Sequence, residues 1–97
     1  MEVDFANPDL KAMEQAGVNG CHGDAVGNGY RKVLRFIRSA IDERDFRSMR
    51  SLNFEKLLGD RSHQYSLRIN RQWRLIIEIE KATPKNVIRL IGIEDYH

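Results

Sequence analysis

One cysteine, two prolines and one tryptophan are all that the 97 residues hold of those types. No apolar run approaches the roughly 18 residues that cross a bilayer. With Cys21 alone there is no internal disulfide, and a reducing compartment is the simpler expectation. Cys21-His22 lacks a second pair of ligands at usable spacing, which argues against a metal site. Residues 17–29 (GVNGCHGDAVGNG) are glycine-dense, yet no Gly-Lys-Ser/Thr follows, so neither a Walker loop nor a dinucleotide fingerprint is present. No cofactor is implied. No signal peptide is visible, and a single cytoplasmic domain over residues 1–97, with no membrane partner, is the expectation.

Net charge is only +2, but its distribution is uneven. Residues 1–30 carry one basic and 5 acidic side chains, whereas residues 31–74 carry 12 basic and 5 acidic ones. Eleven of the 16 basic residues are arginine, the better partner for bidentate phosphate contact. A basic central block in a near-neutral chain fits a nucleic-acid footprint, a surface for an acidic partner, or a solvated charged face.

The organising stretch is Gly59–Arg74, GDRSHQYSLRINRQWR. Tyr65, Leu67 and Ile69 alternate with polar residues, as do Trp73, Leu75, Ile77 and Ile79 further on. Period two predicts strands over 64–69 and 73–80. A two-residue loop would set Arg68 opposite Leu75. A three-residue loop at Asn70-Arg71-Gln72 pairs 69 with 73, 67 with 75 and 65 with 77, all apolar, so register favours it. That choice places Arg68 opposite Arg74. Like charges so opposed cost a few tenths to about 1 kcal/mol. The pair therefore suggests a bound anion, most simply phosphate. The bland alternative has both arginines snorkelling outward or pairing with carboxylates such as Glu78 and Asp95.

In chain order, 3–5 reads as an edge strand, and Asn7-Pro8-Asp9 as an N-cap with proline at the first helical position. Leu10 and Met13 face inward, and Gly17 ends that helix. Residues 17–29 read as a loop that gives way, at Asp24 or Asn28, to the main helix ending at Ile41. Its stripe is Tyr30, Val33, Leu34, Ile37, Ala40 and Ile41, with Arg31, Lys32, Arg35 and Arg38 on the other side. A short helical turn over 43–49 and an extended segment over 52–58 lead into the hairpin. A last strand, 86–94, is apolar on both parities and reads as covered on both faces. Helices first and antiparallel strands after give an α+β fold, with the helices packed on one sheet face.

Several pieces in order carry a resemblance: Gly59-Asp60-Arg61, Gln64-Tyr65-Ser66, Arg68-Ile69-Asn70, Gln72-Trp73-Arg74 and the closing Asp95-Tyr96-His97. Together with the 30–41 helix and Asp42-Glu43-Arg44-Asp45, they resemble the HigB branch of the RelE/ParE toxin superfamily. The resemblance implies a RelE-like fold and a toxin of a type II toxin–antitoxin module. It also implies a HigA-like helix-turn-helix antitoxin, and metal-independent, ribosome-dependent mRNA cleavage by 2′-OH attack. His97 matches the terminal proton-transfer histidine and Arg74 the arginine on the scissile phosphate. Tyr96 could stack on a base or donate a proton, and Asp95 could orient His97. Arg68, Lys56, Arg61 and Arg71 are candidates for RNA contact. Two positions depart from the pattern: Glu55 stands where some of these enzymes carry histidine, and Leu58 where some carry lysine. Glu55 or His63 could compensate. A non-catalytic gyrase inhibitor of the ParE kind, or a binding module without nuclease activity, are the alternatives.

Overall fold

The computed structural model describes residues 1–95; Tyr96 and His97 lie outside the described residues. Five strands form one sheet, β1 (Glu2–Phe5), β2 (Glu55–Lys56), β3 (Gln64–Arg68), β4 (Trp73–Glu80) and β5 (Val87–Asp95), in the order β1-β5-β4-β3-β2. Three helices, α1 (Pro8–Gln15), α2 (Asp24–Ser39) and α3 (Arg44–Ser48), complete the α+β domain. The sheet is mixed, because β1 runs parallel to β5 while every other pair is antiparallel. Alternation alone does not report strand direction, which is why an all-antiparallel sheet was the expectation.

Asn7 caps α1 through its side chain, which accepts from the Asp9 amide at 2.9 Å, and Pro8 occupies the first turn. The helix α2 begins at Asp24, so Gly27 and Gly29 lie inside it rather than in a loop. Both glycines sit at close approaches. A Cβ on Gly29 would stand 2.8 Å from Cγ2 of Ile69, so α2 rests directly on the end of β3. The same stretch opens with a short 3₁₀ turn at Gly20–His22.

The hairpin has the three-residue loop and the expected register, with Tyr65 opposite Ile77, Leu67 opposite Leu75 and Arg68 opposite Arg74. Asn70 closes it: its Oδ1 accepts from the amides of Gln72 and Trp73, each at 2.9 Å. An asparagine that bonds the backbone two and three residues on is the turn chemistry expected there.

The core lies between the helices and one sheet face. Tyr30, Leu34 and Ile37 from α2 meet Leu67, Leu75, Ile77, Ile88 and Leu90, all essentially without exposure. The Tyr30 hydroxyl donates to the Leu10 carbonyl at 2.9 Å, tying α1 to α2. In β5 the apolar residues of both parities have a cause other than cover on two faces. Ile76 pairs with Gly92 and Ile77 with Leu90, which leaves Ile91 as an extra residue in a β-bulge. Ile88 and Leu90 before the bulge and Ile93 after it therefore all face the helices, although their numbering parity differs.

Candidate active site

The sheet face away from the helices carries the polar side chains in rows across the strands. Arg68, Arg74 and Glu94 form one row, Ser66, Ile76 and Gly92 the next, and Gln64, Glu78 and Arg89 the third. Arg61, from the 3₁₀ turn Gly59–Arg61, spans the middle row. Its Nη1 and Nη2 donate to the two carboxylate oxygens of Glu94 at 2.8 and 2.6 Å, and its Nε donates to Gln64 Oε1 at 2.9 Å. Ser66 and Ile76 below are accordingly 3% and 2% exposed. The hydrogen-bonded Glu94 carboxylate is the main reason why the Arg61 pKa is raised above its ordinary value.

Arg74 is 5% exposed, at the centre of the first row. Arg68 opposes it in register but is exposed, and its Nε donates to the Asn70 carbonyl at 3.3 Å. Glu78 receives Gln64 Nε2 at 3.1 Å and lies 3.6 Å from His63 Nε2. Asp95, at the end of β5, accepts from Gln72 Nε2 at 3.1 Å. Its register partner is Trp73, whose ring lies 4.3 Å from that of His22, centroid to centroid.

The candidate residues named from the sequence thus fall into groups. Arg61 and Arg74 lie on one face, with Arg68 at its margin, whereas Asp95, in register with Trp73, takes the helix-side parity at the end of the neighbouring strand. Lys56 pairs with Tyr65, on the helix-side parity, and so projects from the opposite face of the sheet. Arg71 is exposed in the hairpin loop. Glu55 is exposed and pairs with Ser66 on the open side, and Leu58 is 89% exposed. His63, beside Glu78, is two rows away from Arg74. Tyr96 and His97 lie outside the described residues.

Sequence reasoning missed Glu94. It joins the arginine row only because the bulge at Ile91 resets the faces of β5, for which Gly92 inside the strand is the local sequence signal.

A profile described as RelE-like toxin of type II toxin–antitoxin system HigB matches residues 21–91, well over half of the chain. The chain belongs to the HigB-like toxin family. The match ends before Glu94 and Asp95. Comparison with curated proteins gives no match. Among solved structures, the fold is similar to a YoeB/ParE toxin from Agrobacterium tumefaciens, with TM-score 0.62 and 17% identity over the whole of both chains. It is also similar to YafQ from E. coli strain BL21(DE3), with TM-score 0.60 and 13% identity over 97% of this chain and 91% of that one. At such identities the likeness speaks for the fold. As a type II toxin, this HigB-like protein has an antitoxin as its partner. No helix among the described residues is long and apolar enough to cross a membrane.

Proposed function

We propose that this HigB-like toxin is a ribosome-dependent mRNA endonuclease of the cytoplasm, neutralised by a HigA-like helix-turn-helix antitoxin. The observation that carries the reading is Arg74, buried on the open sheet face beside the Arg61–Glu94 pair. A guanidinium fixed in a protein wall is a preorganised partner for an anion whose charge grows during reaction.

The chemistry is transesterification. The ribose 2′-oxygen attacks phosphorus and the bond from phosphorus to the 5′-oxygen breaks, leaving a 2′,3′-cyclic phosphate and a 5′-hydroxyl. A base takes the 2′-OH proton, and an acid gives one to the departing 5′-oxygen. Arg74 holds the scissile phosphate and stabilises the phosphorane, with Arg61 and Arg68 as neighbouring cations. His97, with an unperturbed pKa of about 6.5, suits either proton role. Asp95 orients His97, and Tyr96 stacks on a base or donates a proton. Lys56 and Arg71, on other faces, are assigned contacts with RNA outside the scissile phosphate.

Exposed Glu55 and exposed Leu58, where some family enzymes have a histidine and a lysine, favour a second reading: a non-catalytic inhibitor, acting on gyrase as ParE toxins do. Induction of the chain alone in a bacterial host, with 5′-end mapping of mRNA, separates the two. Growth arrest with cuts inside translated regions, lost in Arg74→Ala and His97→Ala, is expected. Arrest with intact mRNA would overturn the nuclease reading and favour the inhibitor.

A further inference from the structure

Residues 17–23 join α1 to α2, and their tip reaches the end of the sheet where Asp95 finishes β5. Little apolar packing holds this segment in place. A cavity of about 290 Å³ lies under it, between Leu10, Met13 and Ile93 on one side and Val18, Cys21 and His22 on the other. Val18 is 50% exposed, and Cys21 is exposed as well.

Hydrogen bonds hold the segment instead, and they converge on Arg31 of α2. Its Nη1 donates to the carbonyls of Met13 and Val18 at 3.2 and 3.0 Å. Its Nη2 donates to the side-chain oxygens of Asn19 and Asn28 at 2.6 and 2.7 Å. A guanidinium serves here because its rigid fork can hold several acceptors at once. Asn19 in turn donates to Asp24 Oδ1 at 2.6 Å, and it fills the space over Gly27, where a Cβ would stand 2.8 Å from Asn19 Cγ. Gly20 and Gly23, with φ of +73° and +89°, bend the backbone at either end of Cys21-His22.

The turn so fixed delivers His22 to Trp73. The two rings lie 4.3 Å apart between centroids, tilted by 50°, an attractive arrangement for an aromatic pair. Trp73 stands directly opposite Asp95, and residues so paired share a face of the sheet. Gln72, the next residue back, donates to the Asp95 carboxylate at 3.1 Å. Strand ends fray unless side chains brace them. At this end the brace runs from Arg31 through the turn to His22, and from His22 to the indole beside Asp95.

We propose that His22 and Arg31 are positioning residues of the active site. Arg31 fixes the turn, the turn seats the His22 ring on Trp73, and the braced indole keeps Asp95 where it orients His97. The inference rests on the nuclease reading and adds to it a support that comes from the helix side of the sheet. Neither side chain has to touch RNA, so the effect falls on the rate of chemistry and spares binding.

The test is steady-state cleavage of one reporter mRNA on programmed ribosomes by the purified full chain. Tryptophan emission gives a second readout, since Trp73 is the sole tryptophan. His22→Ala is expected to lower kcat at least about tenfold and to leave KM within about twofold. His22→Phe puts a ring back on the indole and should recover most of that loss. Arg31→Lys keeps the charge but loses the fork, and should reproduce the His22→Ala defect. Acrylamide should quench Trp73 emission more steeply in both defective variants, and as in the wild type in His22→Phe. Cys21→Ala, in the same turn, should leave kcat within about twofold. Circular dichroism checks that all four variants keep the fold. Wild-type kcat in His22→Ala, or a loss that His22→Phe does not recover, overturns the proposal and leaves the nuclease reading standing. A raised KM at unchanged kcat would make His22 an RNA contact, and equally overturns it. A wild-type chain that cuts no mRNA sinks the nuclease reading itself, and this inference falls with it.

Discussion

Arg61 grips Glu94 with two hydrogen bonds, of 2.8 and 2.6 Å, across a sheet face on which Glu94 is the register neighbour of Arg74. Both partners are nearly half exposed, 44% and 45% by side chain, so water screens their attraction. The pair should therefore contribute less than about 1 kcal/mol to stability. A double-mutant cycle of Arg61→Ala and Glu94→Gln, followed by urea unfolding, should show weak coupling that shrinks further at high salt. If the proposed nuclease reading holds, Glu94→Gln should still reduce cleavage, because an unanchored Arg61 is no longer held beside Arg74. A coupling of several kcal/mol would contradict the exposure of the pair.

Arg74 and Arg68 face each other in register but differ in burial, and their substitutions should differ accordingly. Arg74→Lys keeps the charge and loses the planar fork, so phosphate contact should suffer. Cleavage after induction is expected to fall at least about tenfold for Arg74→Lys, and by much less for Arg68→Lys. Primer extension on a single reporter mRNA would compare them. Equal losses would mean that the buried position has no privileged role.

Glycine at 29 is a packing requirement. A methyl group there would meet Ile69 Cγ2 at 2.8 Å, with the Ile69 carbonyl oxygen at 3.4 Å. Alanine gains helix propensity in the middle of α2, but the clash pushes the helix off β3. Gly29→Ala should destabilise the domain by about 1–3 kcal/mol, measured as a lower urea midpoint. A rise in stability would show that Ile69 moves aside freely.

Glu43 joins the start of α3 to the turn before β5. Its carboxyl pKa is lowered from 4.5, first by a hydrogen bond from its own backbone amide, then by Lys81 Nζ at 3.0 Å. A folded-state value below the unfolded one means that the unfolded chain binds the proton more readily. The resulting stabilisation is present above pH 4.5 and is lost as pH falls through the lowered value. Glu43→Gln should remove that part of the acid sensitivity, read as a flatter dependence of the urea midpoint on pH.

The hairpin was legible because three signals agreed: alternation in 64–69 and 73–80, an apolar match that selected one register, and Asn70 as the turn residue. The start of α2 at Asp24 was harder to read. Glycine costs about 1 kcal/mol in a helix, so Gly27 and Gly29 argue locally for a loop. Tertiary contact overrode propensity, since Gly29 lets α2 lie against Ile69. The pairing of β1 with β5 carries no local mark, because Val3 and Phe5 alternate alike in parallel and antiparallel company. The arginine row was half visible. Arg68 and Arg74 followed from register within one hairpin, whereas Glu94 depended on a bulge in a strand that arrives later.

The extra residue Ile91 splits the nine positions of β5 into two halves with opposite rules. Before it, even-numbered residues answer to the hydrophobic layer; after it, odd-numbered ones do. Deleting that one residue would leave every later side chain chemically intact yet turned over, sending the Glu94 carboxylate into the apolar layer and Ile93 out among the arginines. Mutational tolerance along the strand should therefore alternate, and reverse phase at a single position.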